Sequence, residues 1–86
     1  MRFDWNRHNL AKIAAHGVGP WEVEEALRGR HIKVAEEIRN GEKRYVAVGR
    51  TKNGRALEIV ATNRKGKIRV ISAWESRKVR SKLLGD

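Results

Sequence analysis

The sequence predicts an α+β fold, an antiparallel β-meander of three to four strands packed on two N-terminal helices, with a short helix at the C-terminus. Three observations predict it. Apolar residues recur at helical spacing only near the two ends of the chain, the middle changes to a period of two, and Asn or Lys precedes Gly at the expected hairpin turns. At 86 residues with no cysteine, the chain is expected to be one domain, residues 1–86, with no disulfide and no thiolate metal site.

Residues 2–5 alternate short and apolar, and Asp4 or Asn6 is placed to accept from the free amides of the first helix. Leu10, Ile13 and Ala14 supply its expected apolar face, and Gly17 its left-handed stop. Gly19-Pro20 opens a second helix, because proline has no donor to lose in a first turn. Glu22, Glu24 and Glu25 favour the positive end of its dipole, while Val23, Ala26 and Leu27 form the buried stripe.

From Ile32 the alternation with Val34 and Ile38 predicts a strand ending at the Asn40-Gly41 turn. Residues 43–52 and 55–63 then flank Asn53-Gly54, read as a two-residue hairpin loop, and Lys65-Gly66 leads into residues 67–73. In that register Val48 opposes Ile59, Val46 opposes Ala61, Ala61 opposes Val70 and Thr62 opposes Arg69. Val46, Val48, Leu57, Ile59, Ala61, Ile68 and Val70 would face the helices. Tyr45, Thr62 and Arg69 would form one cross-strand row on the other face, a floor for a polyanion. Residues 75–84 complete the chain as a basic helix with Val79 and Leu83 inward.

Charge is distributed unevenly along this plan. Thirteen of the twenty basic residues and three of the ten acids lie in residues 43–86, giving that half a formal charge of +10 against a neutral first half. Charge of one sign on strands and a helix is the footprint of a polyanion binder, and nucleic acid is the first partner to consider. Arg64, Lys65 and Lys67 at one turn, with Arg77, Lys78, Arg80 and Lys82 in the last helix, form most of the patch. No apolar run approaches the roughly 20 residues of a membrane span, so an intracellular, cytoplasmic protein is expected.

The candidate chemistry is acid–base. No metal-binding spacing, phosphate-cradling glycine motif or nucleophile elbow occurs, so no metal and no cofactor are expected. His8, Lys12 and His16 lie at i, i+4, i+8 along the first helix, either a phosphate-facing ridge or a solvated face. Arg69, in an otherwise apolar strand, needs an open groove or a carboxylate. Glu58, the acid expected on its face, lies about 13 Å along the ladder, too far for a direct pair. Trp5 and Trp21 are expected in the core, with Trp74 left open as core or as a stacking surface.

The segments Phe3-Asp4-Trp5, Ala15-His16-Gly17-Val18, residues 22–26, Gly41-Glu42-Lys43-Arg44-Tyr45-Val46-Ala47-Val48-Gly49-Arg50, Gly54-Arg55, Thr62 with Arg64, and Ile68-Arg69-Val70-Ile71-Ser72-Ala73 together resemble the BrnT family of toxins. The resemblance implies a small RelE-like ribonuclease paired with a DNA-binding antitoxin, assembled as a homodimer or a toxin–antitoxin hetero-oligomer. It further implies metal-independent RNA cleavage, with the ribose 2′-hydroxyl attacking the adjacent phosphate. His16, Arg64, Arg69 and Ser72 match motif positions, which implies His16 as the proton-transfer group and Arg64 and Arg69 as phosphate clamps. Ser72 and Lys12 are lesser contacts, with Tyr45, Arg77 and Arg80 on the expected RNA path. The chain departs from the family pattern at Ala15, Ala61, Trp74, Val79 and Leu83 or Leu84. The alternative is a noncatalytic RNA-binding module on the same scaffold.

Overall fold

The computed structural model describes residues 1–85, and the fold is α+β as expected. Two helices, α1 (Arg7–Ala14) and α2 (Pro20–Arg28), precede a meander of β1 (His31–Arg39), β2 (Glu42–Arg50), β3 (Ala56–Arg64) and β4 (Lys67–Glu75). The strands are antiparallel in the order β1-β2-β3-β4. The chain ends in the short helix α3 (Lys78–Ser81) and a single 3-10 turn, Lys82–Leu84.

Local chemistry sets the helix ends. The Asn6 side chain accepts from the Asn9 amide at 2.8 Å and caps α1, while Gly17 adopts φ +71° beyond its last turn. The buried face of α1 is Asn9 and Ile13 rather than Leu10, Ile13 and Ala14, because α1 packs on β4 and the Asn9 amide donates to the Val70 carbonyl. A polar side chain is thereby spent on satisfying a strand carbonyl. In α2, Val23, Ala26 and Leu27 are buried as the apolar stripe requires.

Residues 2–4 add a parallel bridge beside β4, with the Ile68 amide donating to Arg2 O and the Asp4 amide to Ile68 O, both at 2.8 Å. This covers part of an edge that would otherwise stay unpaired.

The β3–β4 register is the expected one, with Ala61 opposite Val70 and Thr62 opposite Arg69. Lys65 and Gly66 both take positive φ, as a two-residue hairpin turn of this hand demands. The β2–β3 register is not the expected one. Its loop holds five residues, closed by the Thr51 amide on Arg55 O at 2.8 Å, so Arg50 rather than Lys52 is the last paired residue. Moving the pairing sum by one exchanges the faces of β2. Tyr45, Ala47 and Gly49 therefore lie opposite Ala61, Ile59 and Leu57 on the helix-covered face, and Val46 and Val48 lie on the outer face.

Three further expectations are overturned. Trp21 is 65% exposed, its ring lying over Gly19 at the start of α2 rather than in the core. The C-terminal helix is shorter than expected because β4 runs on to Glu75. Val79 and Leu83 are 72% and 52% exposed, and Leu84 is the buried residue of that segment. Trp5 packs half-buried against the core, its indole N–H donating to Glu24 at 2.8 Å.

Candidate nucleic-acid interface and active site

Residues directly opposite in an antiparallel ladder share a face, so the register assigns each candidate to a side of the sheet. On the outer face lie the rows Arg64 and Lys67, Thr62 and Arg69, then Val46, Val60 and Ser72, then Val48, Glu58 and Trp74. A bulge at Val60/Ala61, with Ile71 as the extra residue of β4, carries Ser72 and Trp74 onto the face that Arg69 occupies. Three sequence-expected residues, Arg64, Arg69 and Ser72, thus share one side of the sheet, and His16 approaches it from the turn after α1 through its contact with Trp74.

At one end of this face Arg64, Lys65, Lys67, Arg69 and Asp4 line a cleft of about 250 Å³. The Lys65-Gly66 turn gathers three of these cations within four residues. Arg69 donates from Nη2 to Asp4 Oδ2 at 2.9 Å and from Nε to the same oxygen at 3.3 Å. Asp4 is the carboxylate that the isolated arginine needed, and the parallel bridge at Ile68 positions it. Arg64, Lys65 and Lys67 are exposed and make no ion pair among the described residues.

At the other end His16 sits exposed in the turn after α1, its ring centroid 6.1 Å from that of Trp74. Trp74 lies opposite Glu58, and Glu58 accepts from Arg80 Nη1 at 2.8 Å. This end therefore holds an imidazole, an indole and a guanidinium–carboxylate pair. Ser72 lies between the two ends and is largely buried. Along β4, Trp74 is about 13 Å from Arg69, four strand rises once the bulged residue is discounted.

The remaining candidates are dispersed. Tyr45 does not share a row with Thr62 and Arg69, since it opposes Ala61 on the helix-covered face. It lines a separate cleft of about 560 Å³ with Lys43, Asn63 and Arg64, and burial pushes its hydroxyl pKa up. Arg64 thus borders both clefts. Lys12 is exposed on α1 one turn before His16, and Arg77 is exposed ahead of α3.

Sequence reasoning missed the residue that ties these parts together. Arg55 donates from Nη1 to Gly17 O at 3.0 Å and to both Glu22 oxygens at 3.1 Å, and from Nε to Glu75 at 3.0 Å. The two carboxylates, Glu75 first and then Glu22, raise the guanidinium pKa further. Glu22 also accepts from the Gly19 amide at 3.0 Å, and that bond, with Arg55, holds its carboxyl below the usual range. Arg55 and Asp4 both stood in the family-like segments, but only their partners in space give them a role.

The outer face offers cations for phosphate oxygens, an exposed imidazole for proton transfer and an indole edge. Among the described residues no group of three or more His, Cys, Asp or Glu side chains is arranged to hold a metal ion. The chain is thus a small basic α+β domain with exposed cations gathered at one end of its outer face. Residues 5–80 match the family model described as ribonuclease toxin, BrnT, of type II toxin-antitoxin system, and the chain belongs to that family. An antitoxin protein is accordingly its partner class. A comparison with curated proteins finds no significant match.

Proposed function

We propose that this protein is a metal-independent ribonuclease that cleaves RNA by attack of a ribose 2′-hydroxyl on the adjacent phosphate. The observation carrying this reading is the outer face, on which one register gathers the cationic turn, Ser72 and Trp74, with the His16 ring 6.1 Å from the indole. RNA lies along β4. Arg64 and Arg69, helped by Lys65 and Lys67, hold phosphates about 13 Å from the one that His16 serves, so they align the strand instead of contacting the reacting centre.

His16 takes the proton from the 2′-hydroxyl as the new O–P bond forms, and the bond from phosphorus to the 5′-oxygen breaks as that oxygen takes a proton from solvent water, to which His16 returns the one it received. Trp74 gives a base a surface to stack on, and Arg80, paired with the Glu58 that lies opposite Trp74, is the guanidinium assigned to stabilise the added negative charge. Lys12, Ser72 and Arg77 extend the RNA path as secondary contacts, and Tyr45 joins it only through the neighbouring cleft that Arg64 also borders. The protein works in the cytoplasm, where a DNA-binding antitoxin silences it by covering this face.

The test is a mixed-sequence RNA incubated with the protein in EDTA, followed by analysis of the new ends. The reading expects 2′,3′-cyclic phosphate termini, and RNA that stays intact contradicts it. A noncatalytic RNA-binding module is the second reading. It is favoured by the occupation of Arg69 by Asp4 and of Arg80 by Glu58, which leaves neither guanidinium free. In that case RNA shifts on a gel and is recovered whole.

A further inference from the structure

We propose that Arg55 is the positioning residue of the His16 end, a clamp that holds the His16 turn and the Trp74 strand end in one fixed relation. Its bonds fall on the residue that follows each ring. Nη1 donates to the carbonyl of Gly17, directly after His16, and Nε to the carboxylate of Glu75, directly after Trp74. The planar guanidinium sets both directions at once, which a lysine ammonium on a flexible stem does not.

A second support runs through Glu22. Its carboxylate takes Arg55 Nη1 on both oxygens and the Gly19 amide on one, so Gly17 and Gly19, on either side of Val18, are tied to the same guanidinium. Backbone bonds close the turn itself, from the His16 and Val18 amides to Ile13 O and from the Gly17 amide to Ala14 O, and Val18 is buried in the core. Arg55 adds the link these bonds do not supply, from the Gly17 carbonyl to the end of β4. His16 is itself exposed, and among the described residues no hydrogen bond is made to its ring. The approach of the imidazole to Trp74 therefore depends on how Arg55 sets this turn against the end of β4.

The experiment compares the parent with Arg55→Ala, Arg55→Lys and Glu75→Gln. The Glu75→Gln change removes only the strand-side charge and alters an exposed residue, so it reports on the clamp even if Arg55→Ala fails to fold. The readout is the nuclear Overhauser contact between the His16 ring protons and the Trp74 indole, with the remaining amide spectrum as the control for folding. The clamp predicts that this contact is lost in Arg55→Ala and weakened in Glu75→Gln, with partial recovery in Arg55→Lys. A contact of parental intensity in both Glu75→Gln and a folded Arg55→Ala overturns the proposal, because Arg55 would then be merely structural.

The kinetic arm rests on the ribonuclease reading. There Arg55→Ala lowers kcat about tenfold with KM changed less than twofold, the pattern of lost positioning. Loss of the ring contact together with a parent that never cleaves RNA supports the clamp and sinks the ribonuclease reading, so the two failures are distinguishable.

Discussion

Arg69 and Asp4 form a 2.9 Å ion pair between β4 and the N-terminal segment, 65 positions apart in sequence. The pair neutralises the one guanidinium that β4 presents beside the cationic turn. Asp4→Asn frees Arg69 for phosphate and is expected to tighten RNA binding about threefold at low salt, an advantage that shrinks as salt screens it. The two side chains are 30% and 32% exposed, so the loss of stability stays within about 1 kcal/mol. Filter binding and urea denaturation of the variant check both.

The approach of α2 to β2 makes Gly49 a packing requirement. A Cβ there would stand 2.7 Å from the carbonyl oxygen of Ala26, a backbone atom that cannot rotate away. Gly49→Ala should destabilise the fold by about 1–3 kcal/mol, the usual cost of overpacking a filled site. An unchanged urea midpoint would contradict the packing argument.

Glu22 gives stability a pH dependence of known sign. Its carboxyl is held below the ordinary range, first by the Gly19 amide and then by Arg55. A depressed folded pKa stabilises the fold fully above the unfolded value of about 4.3, and that contribution is lost as pH falls through the folded value. Glu36, depressed by Lys43 and Lys33, acts in the same window from an exposed position. Glu22→Gln should therefore flatten, without abolishing, the fall in thermal midpoint between pH 5 and pH 3.

The exposed cations of the β3–β4 turn set the salt dependence. If Lys65 and Lys67 each hold one phosphate of a single strand, replacing both with alanine lowers the slope of log K against log salt by about 1.4. A slope equal to the parent's would remove the turn from the RNA path.

Elements whose signal is local were legible in the sequence, and those decided by a loop's closure were not. Lys65-Gly66 read correctly because both residues can adopt positive φ, which fixes a two-residue turn. Asn53-Gly54 carries the same signature, yet only Gly54 is left-handed there and the Thr51–Arg55 bond widens the loop to five residues. One residue of difference moved Tyr45 out of the row that Thr62 and Arg69 share.

Part of the outer face was readable because Thr62 and Arg69 depend only on the correct turn. Ser72 and Trp74 join it through a bulge that no spacing announces. Trp21 was misplaced for another reason, since apolar character alone does not say which side of a first helical turn meets the sheet. The roles of Asp4, Arg55 and Asn9 depend on partners distant in sequence, and composition does not encode those.

The most direct measurement is single-turnover cleavage of RNA in EDTA by the parent and by His16→Ala, with RNA affinity and circular dichroism recorded for both. The account predicts at least a tenfold loss of rate in the variant, with affinity and fold retained, because His16 moves a proton and contributes little to binding. Equal rates in the two proteins would contradict the assignment of the reacting end to His16 and Trp74.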